Sequence, residues 1–149
     1  MSKYLVVAHQ TATSPVLLDK LREIAAEDET ATFTLLVPAT PVQHLLTKRE
    51  GEAIALAQHA ASEARALAER NGIRVNDALV GDASPIEAIA DFLRESHSET
   101  YDGIVISTLP VGVSRWLKLD VHSRVQSRFH LPVISVIAPP TEVGTAVRR

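Results

Sequence analysis

The sequence predicts a single doubly wound α/β domain, an open five-stranded parallel sheet between helices in three α/β/α layers. Two observations carry this. Five short apolar runs recur along the chain, and each of the first four is followed by an amphipathic or alanine-rich stretch. At 149 residues the chain fits one domain, long enough to bury about 68–70% of its unfolded surface.

The elements follow in order. Tyr4–Ala8 (YLVVA) is a continuous, β-branched-rich run, as expected of a strand buried on both faces. Ser14-Pro15 then sets a cap residue before a proline at the first helical position. In the helix that follows, Leu17, Leu18, Leu21, Ile24 and Ala25 share one face, and Asp19, Lys20 and Glu23 the other. Thr32–Val37 is the second strand, closed by Pro38. After a loop through Ala39–Thr47, an alanine-rich helix runs from about Lys48 to Asn71, with Gly72 as its C-terminal cap. It is expected to pack closely on the sheet through Ile54, Ala57, Ala61, Ala64 and Leu67. Ile73–Val80 reads as the third strand. Ser84-Pro85-Ile86-Glu87 has the spacing of a capping box and opens a helix with Ile86, Ile89, Ala90 and Leu93 inward. Ile104–Ser107 is the fourth strand, Ser114–Phe129 the last helix and Leu131–Ile137 the fifth strand. The domain is expected over 1–138. The stretch 139–149, after Pro139-Pro140, lacks periodicity and reads as an extended tail.

Composition narrows the function classes. Hydrophobic residues make up 46% and charged residues 22%, as in ordinary globular domains. A net charge of −3 gives no reason to expect nucleic acid or an anionic membrane as partner. The chain has no cysteine, which removes thiolate chemistry and disulfides and suits a cytoplasmic location. No apolar stretch approaches the roughly 20 residues a membrane helix needs.

In an open α/β sheet, ligands bind outside the carboxyl ends of strands, where strand order reverses. This rule selects the loops after each strand: His9, Gln10 and Thr11; Val37 and Pro38; Gly81; and Ser107, Thr108, Gly112, Ser114 and Arg115. Hydroxyls and the free N–H groups of a helix start can hold phosphate or another small anion. The same residues are also ordinary turn and cap chemistry, so both readings stand at this point. The chain contains no G-x-S-x-G elbow, Walker A loop or GxGxxG. The six histidines lack metal-ligand spacing, and His59 with Glu63, one helical turn apart, reads as a solvated pair. Trp116 reads as core packing under the loop, and the basic residues around Arg124 and Arg128 as a solvated or dimer-rim face.

The stretch Ile104–Val136, with its strand, hydroxyl-rich loop, Ser114-Arg115, helix and LPVISV strand, resembles the C-terminal third of universal stress proteins. The resemblance covers about residues 3 to 138. It implies the adenine nucleotide alpha hydrolase-like strand order 3-2-1-4-5, against a flavodoxin-like 2-1-3-4-5, and strand four beside strand one distinguishes the two. It also implies ATP or AMP as ligand, held by a loop of the form G-x2-G-x9-G-S/T. Aligned on Ser114-Arg115 and Val121–Val125, this chain has Ile106, Leu109 and Leu119 in place of the three glycines and Asp120 in place of the hydroxyl. Gly112 coincides with a frequent glycine outside the motif. His9 stands where ATP-binding members usually carry an aspartate. Backbone approach to phosphate needs glycine. The expected function is therefore a non-enzymatic, stress-protein-like regulatory or small-ligand-binding module that does not hold ATP in the usual mode. The alternative is an ATP- or AMP-binding protein with a variant phosphate loop and at most slow hydrolysis. No catalytic residue and no metal site are expected. The resemblance further implies a homodimer paired through the fifth strand, Pro132 to Ile137.

Overall fold

A computed structural model describes residues 2–9, 11–39, 50–95, 101–108 and 120–137. Nine elements alternate along them: β1 (Lys3–Val7), α1 (Pro15–Glu27), β2 (Thr32–Pro38), α2 (Glu50–Arg70), β3 (Val75–Gly81), α3 (Pro85–Glu95), β4 (Gly103–Thr108), α4 (Val121–Phe129) and β5 (Val133–Ile137). All strand pairs are parallel, in the order β3-β2-β1-β4-β5. Strand four lies beside strand one, with Val7 opposite Ile106, so the flavodoxin-like order is excluded. The expected tail, 139–149, lies outside the described residues.

Alternation along each strand sorts side chains to two faces. On one face Val6, Ala8, Phe33, Leu35, Val105 and Val136 meet Leu17 and Leu21 of α1 and Ala64 and Ala68 of α2. On the other, Leu5, Val7, Leu36, Ile104 and Ile106 meet Ile86 and Ile89 of α3 and Val121 and Val125 of α4. Helices thus cover both faces, as doubly wound topology requires. The stripe that α2 turns inward is Ala53, Ala57, Ala61, Ala64 and Ala68. The larger Ile54 and Leu67 are only half-buried at its margins. Small residues allow the helix to seat closely on β2 and β3.

Helix ends explain several boundaries. Ser14 Oγ accepts from Val16 N at 3.2 Å, and Pro15 takes the first helical position. Gly72, at φ +78°, closes α2 with the paired bonds Ile73 N→Ala68 O (3.0 Å) and Gly72 N→Glu69 O (3.2 Å), a Schellman arrangement. Ile73 is consequently committed to this cap, and β3 starts at Val75 rather than Ile73.

Two local expectations are corrected. The capping box at α3 is only half made: Glu87 N donates to Ser84 Oγ at 3.4 Å, but Ser84 N donates to Asp82 Oδ1 at 2.9 Å. The Glu87 carboxylate instead accepts from Arg128 of α4 at 3.4 Å. The last helix begins at Val121, not Ser114, because Asp120 is left-handed (φ 55°) and interrupts any helical run there. Ser114 itself lies outside the described residues.

Candidate functional site

β1 and β4 lie side by side, and the next described helix after each, α1 and α4, lies on the opposite face of the sheet from the other. The crevice outside their carboxyl ends is therefore the switch point at which ligands bind in such sheets. Of the expected site residues, His9, Thr11, Val37, Pro38, Gly81, Ser107 and Thr108 are described. Gln10, Gly112, Ser114 and Arg115 lie outside the described residues.

Ser107 and Thr108 belong to β4 rather than to a loop, since pairing with β5 continues through Ser107–Val136 and Thr108–Ile137. Ser107 Oγ and Thr11 Oγ1 are 2.6 Å apart and buried, joining the turn after β1 to the end of β4. That turn is tightened by Ala12 N→His9 O (3.1 Å) and Ser14 N→Thr11 O (3.0 Å). Two expected ligand hydroxyls are thus committed to each other.

Thr108 behaves differently. It is 3% exposed, yet its Oγ1 has no hydrogen-bond partner. The same holds for Nε2 of His9 and Nε2 of His122, and these are the only three such atoms among the described side chains. All three belong to the carboxyl-end side of β1 and β4. His9 and Thr108 each stand two residues beyond the Val7–Ile106 pair. His122, in the first turn of α4, interacts with the backbone of Ile106 itself. Burial lowers the pKa of both imidazoles from 6.5. For His122 the Ile106 backbone and the Asp120 carboxylate act in the opposite direction. Leaving a buried polar atom unpaired costs about 1–3 kcal/mol, a cost that a polar guest at this end of the sheet would remove.

Three of the expected residues also have packing roles. Val37 is buried against Ala53, Ala57 and Ala61 of α2. Pro38 is buried and pairs with Gly81 in the β2–β3 ladder. A Cβ at Gly81 would lie 2.7 Å from Ala88 Cβ and 3.1 Å from Leu36 Cδ1, so glycine there serves the approach of α3. Conversely, sequence reasoning assigns His122 no role. The available signal is its position, two residues past the place of the motif hydroxyl. Ile106, at the first motif-glycine place, is a fully buried strand residue.

Among the described residues no group of three or more His, Asp or Glu could hold a metal ion. His59 and Glu63 form a pair at 3.3 Å with both side chains exposed, as their spacing predicts. No helix among the described residues is long and apolar enough to cross a membrane.

No protein-family model and no curated protein matches the chain. Solved structures do. A universal stress protein family member from Burkholderia pseudomallei is 17% identical, with 91% of this chain and 95% of that one covered and a TM-score of 0.60. The universal stress protein from Archaeoglobus fulgidus in complex with dAMP is 19% identical over 91% of this chain and 97% of that one, with a TM-score of 0.59. A universal stress protein family protein from Arabidopsis thaliana with AMP bound is 13% identical, covers 95% of each chain and has a TM-score of 0.60. Strand order, helix placement and these likenesses agree: the chain has the universal stress protein fold.

Proposed function

We propose that this protein is a cytoplasmic, non-enzymatic regulatory module that binds a small anionic ligand at the β1–β4 crevice and does not hold ATP in the usual stress-protein mode. The observation that carries this reading is the set of unpartnered buried atoms at that crevice, His9 Nε2, Thr108 Oγ1 and His122 Nε2. Against ATP stands Ile106, a buried core residue of β4 where the nucleotide loop's first glycine would lie. The exposed Asp120 carboxylate at the start of α4 would also repel a triphosphate.

A second reading has its own support. Solved structures of the same fold carry dAMP and AMP. A nucleoside monophosphate brings less charge than ATP and needs less backbone wrapping, and Ser107, Thr108, Ser114 and Arg115 would then hold its phosphate. Calorimetric titration with sulfate, AMP and ATP separates the two. Sulfate binding that Thr108→Val weakens supports the small-anion site, and AMP binding that sulfate does not share supports the second reading. Tight ATP binding that protects the amides of 107–114 contradicts the small-anion site.

The protein is further proposed to dimerise through β5. That strand ends the sheet, and Ile137 on it is 47% exposed. An apolar edge of this kind needs cover.

A further inference from the structure

We propose that anion binding at the β1–β4 crevice is coupled to proton uptake by His9 and His122, so that affinity rises as pH falls. The inference rests on the small-anion reading above and adds its regulation. Its first support is charge. The described turns at this edge, residues 8–9, 11–14, 38–39, 81–84, 107–108 and 120–123, contain four ionisable side chains, His9, Asp82, Asp120 and His122. Two are acids, and both are exposed. Among these residues the pH-responsive positive charge comes from the imidazoles; Arg124, one residue further along α4, is a fixed cation at every relevant pH.

The second support is hydrogen-bond polarity. The Ile106 backbone favours the charged His122 ring, which identifies its carbonyl as an acceptor. With Nε2 unpartnered, the bond to Ile106 falls to Nδ1–H. The neutral ring then presents only a lone pair at Nε2. A lone pair repels an anionic oxygen, whereas a protonated Nε2 donates a charge-assisted bond to it. Thr108 Oγ1 can donate in either state. Binding and protonation therefore favour each other.

The surroundings leave the two rings as the responsive groups. For His122, Asp120 lies two residues before it. α3, packed on α4, carries Glu87, paired with Arg128 at 3.4 Å, Asp91, paired with Arg94 at 3.0 Å, and an exposed Glu95 at its end. Arg124, on the next turn of α4, is exposed. β5, beside β4, has no ionisable residue. For His9, the flanking β2 and β4 carry none, and burial alone lowers its pKa. Both rings are thus inclined to be neutral when the crevice is empty, and an anion reverses that inclination.

Sulfate keeps its charge over the relevant pH range and is the cleanest probe, with AMP as the nucleotide counterpart. Calorimetry of the full chain in buffers of different ionisation enthalpy counts the protons taken up on binding. We expect net uptake with sulfate, and with AMP above about pH 7, where its phosphate, with a second pKa of about 6, is already a dianion. Linkage then requires sulfate affinity to rise by about tenfold or more between roughly pH 8 and pH 6. The double variant His9→Gln/His122→Gln should keep its fold by circular dichroism and lose the pH slope. Binding with no proton uptake, or a slope unchanged in the double variant, overturns the inference and leaves the small-anion site standing. If neither probe binds at any pH, the small-anion reading fails and this inference fails with it. Should the double variant not fold, the proton count on the unmodified protein still decides.

Discussion

At the residue scale, the hydroxyls of the crevice divide by partner. Thr11 and Ser107 complete each other at 2.6 Å, while Thr108, one residue further, is buried and unpaired. Sequence patterning brings all three to the site but cannot divide them, because the division depends on which way each side chain of β4 points. Thr11→Val should leave Ser107 buried and unsatisfied, lowering stability by about 1–3 kcal/mol. Adding Ser107→Ala should restore part of that loss, so a denaturation cycle over the four proteins is predicted to show coupling. Additive losses would mean that the pair contributes nothing. Gly81 reads in the sequence as a site residue because it follows a strand. In the structure glycine there does allow a close approach, but the approaching group is Ala88 of α3, whose Cβ would lie 2.7 Å from any Cβ placed on Gly81. Gly81→Ala should therefore cost about 1–3 kcal/mol through overpacking, and an unaltered denaturation midpoint would refute that explanation.

At the element scale, helix starts are announced locally where a cap and a proline adjoin. Ser14-Pro15 and Ser84-Pro85 mark their helices this way, and Gly72 marks the end of α2, because each signal depends on a few adjacent residues. The start of α4 is not legible in the same manner, since left-handed backbone at Asp120 leaves no mark in composition. Nor does His130, which closes α4 at φ 57° with its N–H on Gln126 O at 3.1 Å. Glycine adopts this conformation without a Cβ clash. His130→Gly is predicted to stabilise the domain by about 0.5–1 kcal/mol, a rise in Tm of a few degrees; a lower Tm would contradict it. α2 packs closely, as its alanine content predicts, through an unbroken alanine stripe. Periodicity selects the larger Ile54 and Leu67 as inward as well, because hydrophobicity outranks size in such a pattern, whereas close seating on the sheet favours the smallest side chains.

At the scale of the whole molecule, alternating strands and helices establish the fold class, and the family resemblance supplies the strand order. The crevice then follows from topology, since the next described helices after β1 and β4 lie on opposite faces. What the strand-end rule does not select is His122, which belongs to the first turn of α4 and meets the backbone of Ile106. The unliganded protein should also respond to pH as a whole. Both His9 and His122 have pKa values lowered from 6.5 on folding. The unfolded chain therefore binds more protons as pH falls below 6.5, and stability declines there from its higher-pH value. His122→Gln should flatten the decline in a pH series of chemical denaturation curves, and a decline as steep as the parent's would count against burial of a neutral ring. The proposed dimer belongs to this scale as well. Sedimentation should show twice the monomer mass, and Ile137→Glu should give a folded monomer; a parent protein that sediments as a monomer would rule out pairing through β5.

The central claim is that the crevice holds a small anion. Its most direct test is an amide and side-chain NMR titration with sulfate and with AMP. We predict saturable shifts centred on His9, Thr11, Ser107, Thr108 and His122, including the imidazole signals of both histidines. Saturable binding that shifts a different surface, or no saturable shift at these residues, would contradict it.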